Sequence, residues 1–182
     1  MQRLSVTLFR VITFLNGPPG AGKSTVARAL LQRFERGLHI PVDDLREWVV
    51  SGFAGPIGWG EETTRQFTLA ELGAADLAAR YHDAGFEVAI DHCSGVTGVL
   101  DRMAPPLNGR AYRAVMLLPS PEENLRRNRS EGRKPFESSV LEPTIEGLQV
   151  SIRESEHLGR WTVIDSTGMT VEETVDAILA SV

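Results

Sequence analysis

Residues 16–25 read NGPPGAGKST. With three glycines and two prolines in ten positions, this stretch is poorly suited to an apolar core. It is well suited to turning backbone N–H groups inward around an anion, because glycine removes the side chains that would block the approach. The run before it, VITFL at residues 11–15, is apolar and rich in strand formers, and Val26, Leu30 and Phe34 after it recur at helical spacing. A strand, a glycine turn and a helix in that order also bring the positive end of the helix dipole to the same anion.

From Gly17 to Ser24 the stretch satisfies G-x-x-x-x-G-K-[ST], the P-loop pattern. A glycine-rich turn that matched by chance would lack the flanking strand and helix that the motif requires. Lys23 has the reach to touch the β- and γ-phosphates of a nucleotide, and the Ser24 hydroxyl is a ligand for Mg²⁺. Gly17, Pro18, Pro19, Gly20, Ala21, Gly22, Lys23, Ser24 and Thr25 are therefore candidate ATP-binding residues.

Outward from the loop, short apolar runs alternate with helical patterns, as in βαβ units around a parallel sheet. Gly37 stands where the first helix is expected to end. LHIPV at 38–42 reads as a second strand that Pro41 restricts to an edge or a bulge, and a short helix is expected around 45–50. SGFAGPIGWG at 51–60 is a loop by composition. A long helix over 61–83 puts Phe67, Ala70, Ala74, Leu77, Ala78 and Tyr81 on one face, and Gly85 ends it. FEVAI at 86–90 is a buried strand that delivers Asp91, and YRAVMLL at 112–118 is the fourth strand. Ser120 and Glu123 make a capping box with Pro121 at the first helical position. A helix over 144–158 turns Ile145, Leu148 and Ile152 inward, WTVI at 161–164 is the fifth strand, and Thr170 with Glu173 caps the last helix. The expectation is an α/β fold in a single domain over residues 1–182.

Composition narrows the function. The net charge is −5, which disfavours nucleic acid and anionic membranes as partners. A single cysteine, Cys93, excludes an internal disulfide and a multi-cysteine metal site. Arg10 breaks the apolar opening, and no later run approaches the roughly 18 apolar residues of a membrane span, so a cytoplasmic protein is expected. No guanine-reading N-K-x-D segment follows the third strand, and the D-x-x-G at Asp165–Gly168 comes too late in the chain to be a switch. A motor ATPase needs more chain than 182 residues.

In the order GPPGAGKST, VDDLR, VAIDH, RRNRSEGRK and VIDSTG, the chain resembles the small P-loop kinases of the nucleoside-monophosphate-kinase-like fold. Within them it is most similar to the polynucleotide-kinase-like and chloramphenicol-phosphotransferase-like branch. The resemblance implies a three-layer fold with a five-stranded parallel sheet of order 2-3-1-4-5 and a short arginine-rich lid. It puts the site along the C-terminal edge of the strands, as in other open α/β sheets.

The resemblance further implies that Asp43 takes the acceptor hydroxyl's proton and that Arg46, three residues on, helps to hold the acceptor. By residue type, Asp43 or Asp44 also suits a helix cap, with Asp43 favoured as base and Asp44 as cap, and Arg46 also suits a solvated helix face. Asp91, an acid closing an apolar strand, reads as a Walker-B metal ligand with Ser24. His92 beside it is placed to touch substrate, but a lone histidine at a strand end more often reads as structural, as do His39, His82 and His157. The lid is expected at 126–137, with Arg129 in a catalytic role and Arg127 and Arg133 on ATP. Two motif registers compete there, so the division of labour among these arginines stays open. The turn Asp165-Ser166-Thr167-Gly168 is implied to wrap the adenine. Residues 44–80 are the acceptor region, where Trp48, Phe53, Trp59 and Phe67 gather and Trp59 is the candidate contact.

These readings converge on transfer of the γ-phosphate of ATP, with Mg²⁺, to a hydroxyl of a small molecule. The alternatives are a polynucleotide 5′-hydroxyl kinase and an ATP-binding regulator that has no acceptor.

Overall fold

Five parallel strands form one sheet in the order β2-β3-β1-β4-β5, in a computed structural model that describes residues 10–56, 58–130 and 138–181. The strands are β1 (Ile12–Asn16), β2 (Gly37–Pro41), β3 (Glu87–His92), β4 (Tyr112–Leu117) and β5 (Thr162–Ile164). The helices are α1 (Lys23–Leu31), α2 (Val42–Glu47), α3 (Glu61–Asp83), α4 (Val99–Met103), α5 (Pro121–Ser130), α6 (Glu142–Glu154) and α7 (Val171–Ala180). The expected strand order is borne out, and Pro41 sits on an edge strand, where its missing N–H costs no ladder bond.

The period of two along each strand sorts the core into two faces. Ile12, Phe14, Ile40, Val88, Ile90 and Met116 pack on one side against Ala70, Ala74 and Ala78 of α3, with Leu100, Met103 and Ile152. Leu15, Val115, Leu117 and Ile164 pack on the other side against Val26 and Leu30 of α1 and Val175 and Ile178 of α7. Each fully buried Ile or Leu contributes about 1.5–3 kcal/mol through removal from water. The alanines of α3 let a helix of 23 residues lie close on the sheet. Its inner face is therefore narrower than the pattern predicts, and Tyr81 is exposed rather than inward.

Several local expectations need correction. Gly37 does not cap α1, which ends at Leu31; it opens β2, where a Cβ would stand 2.7 Å from the Leu31 Cβ. That glycine serves a close approach between helix and strand. The helix after β2 starts at Val42, three residues earlier than expected, with Pro41 at its N-cap and no side-chain cap. Asp44 is therefore not the cap; it lies in the first turn with Asp43, where the helix dipole favours both charges. The expected capping box of α5 is half formed. Ser120 Oγ accepts from the Glu123 N–H at 3.2 Å, but the Glu123 carboxylate goes to Arg126 and Arg127. The box at Thr170 and Glu173 is complete. The pattern reading missed α4, whose five residues are too few to show a period.

Candidate active site

The C-terminal ends of β1, β2 and β3 bring the phosphate loop, Asp43 and Asp91 to one edge of the sheet. In register, Asn16 lies beside His92 and Pro41 beside Asp91. Asn16, the last residue of β1, accepts the Gly17 N–H at 2.8 Å and the Ser94 N–H at 3.1 Å, tying the start of the loop to the segment after β3. Gly17 has φ +150°, and a Cβ there would stand 2.3 Å from the Leu117 carbonyl oxygen. Gly20 has φ +78° and packs on Asn124 and Asn128 of α5. Asn124 Nδ2 donates to the Pro19 carbonyl at 2.6 Å, and Gln149 Nε2 donates to Asn124 Oδ1 at 2.9 Å. The loop is thus held from behind by buried amides on α5 and α6.

The helix leaving the loop has no side-chain cap and no acid in its first turn. Its first-turn N–H groups and its positive dipole are left for an anion. Lys23 is buried and folds across the loop, its Nζ donating to the Pro18 carbonyl at 3.1 Å.

Strand β3 carries two buried carboxylates displaced in opposite directions. Burial pushes Glu87, at the start of the strand, above the usual carboxylate range. Burial acts the same way on Asp91, at the end. There, however, a 2.6 Å hydrogen bond with His39 Nε2, the Lys23 charge and the Ser24 hydroxyl outweigh it, and the pKa is lowered. This end of β3 is therefore built to keep a buried negative charge. Among the described residues no three His, Cys, Asp or Glu side chains cluster as a metal site. Asp91 and Ser24 are hard oxygen donors of the kind that hold Mg²⁺ when phosphates and water complete its shell, so the site fits that ion.

A cavity of about 530 Å³ opens beside the loop, lined by residues 20–25, by Arg126 and Arg127 of α5 and by the turn before α7. Of the predicted adenine turn, Ser166 and Gly168 line this cavity. Asp165 and Thr167 instead close the turn, Asp165 Oδ1 accepting from the Thr167 N–H at 2.9 Å and its hydroxyl at 2.6 Å. Arg127 bridges α5 to that turn, donating to Ser166 O at 2.7 Å and to Glu123 at 2.7 Å. Hydrogen bonds from Arg126 and Arg127 hold the Glu123 carboxyl down to about 2. Arg129 does not line the cavity; it forms a two-bond pair with Glu142 at 2.8 and 3.1 Å. Arg133 lies outside the described residues.

In the region expected to take the acceptor, Asp43 is 53% exposed, and its Oδ1 accepts from Arg46 Nη1 at 3.2 Å. Trp59 is 58% exposed; it stacks on Phe67 with ring centres 4.7 Å apart and donates to Thr64 Oγ1 at 2.8 Å. Beneath them Glu71 is fully enclosed, paired with His92 Nε2 at 2.9 Å and with Arg102 in a fork. Sequence reasoning missed Asn16, His39, Glu71, Asn124 and Gln149. Asn16 alone carried a local signal, as a polar residue closing a buried strand directly before the loop.

This sheet order, with a phosphate loop between β1 and α1 and acids at the ends of β2 and β3, defines a P-loop kinase. Residues 10–182 match the model of the chloramphenicol phosphotransferase-like proteins, and the chain belongs to that family. Solved structures share the fold at low identity. The tunicamycin resistance protein of Deinococcus radiodurans is 21% identical with a TM-score of 0.66, the match covering 94% of this chain and 95% of that one. Shikimate kinase from Acinetobacter baumannii is 20% identical with a TM-score of 0.63, covering 94% and 92%. A gluconokinase from Sinorhizobium meliloti 1021 is 19% identical with a TM-score of 0.65, covering 94% and 91%. No curated protein sequence matches the chain.

Proposed function

We propose that the protein transfers the γ-phosphate of ATP to a hydroxyl group of a small molecule, with Mg²⁺ as the metal. The observation that carries this reading is Asp91, a buried carboxylate kept ionised beside Lys23 and Ser24 at the mouth of the phosphate loop. The acceptor oxygen attacks the γ-phosphorus, the bond to the β,γ-bridging oxygen breaks, and ADP leaves. The hydroxyl proton passes to the Asp43 carboxylate, which faces solvent at the neighbouring strand end. Lys23 and the loop N–H groups neutralise the phosphates, and Ser24 and Asp91 hold Mg²⁺, which when bound offsets the charge on the transferred group. Arg126 and Arg127 line the cavity and are better placed for a phosphate role than Arg129, which does not; each of the three is paired with a carboxylate, Glu123 for the first two and Glu142 for Arg129. Asp44, Glu47, Glu61 and Glu62 are exposed around the acceptor region, and this acidic rim disfavours a polynucleotide.

The test is to incubate the protein with γ-labelled ATP, Mg²⁺ and pools of nucleosides, sugars, aminoglycosides, chloramphenicol-like compounds and 5′-hydroxyl oligonucleotides. Label on a small molecule supports the reading. Label on the oligonucleotide replaces it with the polynucleotide kinase. Free phosphate alone, at one slow rate in every pool, favours the regulator.

A further inference from the structure

Arg46 has the residue spacing of an acceptor contact but not the environment of one. It is 5% exposed. Nη1 donates to Asp43 Oδ1 at 3.2 Å, Nη2 donates to the Ala54 carbonyl at 3.1 Å, and Nε is buried without a hydrogen-bond partner among the described residues. The guanidinium carbon stands 3.5 Å from the centre of the Phe67 ring and 5.7 Å from that of Phe53. A guanidinium lying over one aromatic ring, with both terminal nitrogens bonded inside the protein, is held as a strut.

Its two bonded partners do different jobs. Asp43 is the group assigned to the acceptor's proton. Ala54 belongs to the loop between α2 and α3, and α3 fastens that loop a second time. The Ala54 N–H donates to Gln66 Oε1 at 3.0 Å, Gln66 Nε2 donates to the Gly52 carbonyl at 2.7 Å, and Thr63 Oγ1 donates to the Gly55 carbonyl at 3.3 Å. Arg46 therefore joins the loop's path to the orientation of one carboxylate. With Nη1 on Oδ1, the exposed part of Asp43 is left for a nucleophile.

We propose that Arg46 is a positioning residue that sets the Asp43 carboxylate from behind and links its setting to the 51–56 loop, without touching the acceptor. This rests on the reading of Asp43 as the proton-accepting group, and the experiment separates the two. Hydrolysis of MgATP uses water as the nucleophile, so on that reading its proton also passes to Asp43, and no acceptor is needed. A residue that only held the acceptor would leave it unchanged, whereas a residue that orients Asp43 would not.

The steady-state rate of MgATP hydrolysis is measured for the wild type, Asp43→Asn, Arg46→Gln, Arg46→Lys and Phe67→Leu, with thermal unfolding as the check on folding. Asp43→Asn is expected to lose about a hundredfold or more in kcat, the scale of general-base catalysis. Arg46→Gln is expected to lose about 30-fold in kcat at unchanged KM for MgATP, since misplacing a reacting group by about 1 Å costs up to about 10²-fold. Arg46→Lys recovers part of that loss, because an ammonium keeps one contact of the fork. Phe67→Leu removes the ring beneath the guanidinium without altering either polar partner, and a smaller loss of the same kind is expected. It keeps the test open if Arg46→Gln fails to fold. Unchanged hydrolysis in the folded Arg46 variant or in Phe67→Leu, alongside a large loss in Asp43→Asn, would overturn the role of Arg46 alone. Unchanged hydrolysis in Asp43→Asn would overturn the base assignment and the proposal with it.

Discussion

The phosphate loop and the α2–α3 segment share one edge of the sheet but are built in opposite ways. Around the loop the polar side chains are buried and paired: Asn16 on Gly17 and Ser94, Asn124 on Pro19, His39 on Asp91. Across the edge, Trp48, Phe53 and Trp59 are exposed, and Asp43 is half open to solvent. The first region binds a group that is the same in every nucleotide, and a preorganised cradle of backbone dipoles serves it well. Under the proposed function the second receives the molecule that carries the hydroxyl; it presents aromatic faces above the Glu71–His92–Arg102 cluster, of which Glu71 and His92 are buried. Within one fold, the phosphate loop is enclosed by paired side chains, and the α2–α3 segment is open.

This contrast makes graded predictions. Lys23→Ala is expected to have the largest effect, about 10³-fold on transfer, with ATP binding weakened as well. Calorimetric titration with ATP checks it, and undiminished binding would break the picture of an enclosed phosphate side. Asp91→Asn is expected to raise the Mg²⁺ concentration needed for half-maximal nucleotide binding by about 10–100-fold, by analogy with the loss of groups that support metal sites. Magnesium titration followed through nucleotide binding reads it directly.

Glu71→Gln tests the layer under the acceptor side through stability. Removing the charge of an enclosed carboxylate that bonds buried His92 and part-exposed Arg102 is expected to cost about 1–3 kcal/mol at neutral pH, measured by urea unfolding. Burial works against the Glu71 charge, but the bonds from His92 and Arg102 outweigh it, so its folded pKa lies below the ordinary value. Its contribution is therefore present above the unfolded value of about 4.3 and is lost as the pH falls through the folded one. The gap between wild type and variant should close in acid. Trp59→Ala is expected to have the smallest effect on stability, within about 0.5 kcal/mol, because the ring is exposed. It should nonetheless raise the KM for the acceptor while leaving ATP affinity alone, which would sharpen the division between the two regions.

The same division governs what the sequence revealed. Gly17, Gly20, Lys23 and Ser24 are adjacent in the chain because a strand, a tight turn and a helix must meet around one anion, so local spacing encodes them. Asp43 and Asp91 were legible as acids at strand ends; the βαβ alternation pointed to a parallel sheet, and the strand order came from the resemblance to the small P-loop kinases. The supports were not legible. His39 sits on an edge strand 52 residues from Asp91, and Gln149 reaches Asn124 across 25 residues, so no local period records either pair. Gly37 was misread because a glycine that permits close contact with Leu31 looks the same in sequence as one that caps a helix. The resemblance implied that Arg46 holds the acceptor, and its residue type also suited a solvated helix face; it is instead buried against Phe67, a tertiary fact.

The central claim is that binding the nucleotide and activating the acceptor belong to separate parts of this edge, with Asp43 on the acceptor part. The most direct test measures ATP binding and single-turnover release of the γ-phosphoryl group in Asp43→Asn. The account predicts ATP affinity equal to wild type and a phosphoryl-transfer rate lower by about 10³-fold. A variant that binds ATP and transfers phosphate at the wild-type rate would contradict it.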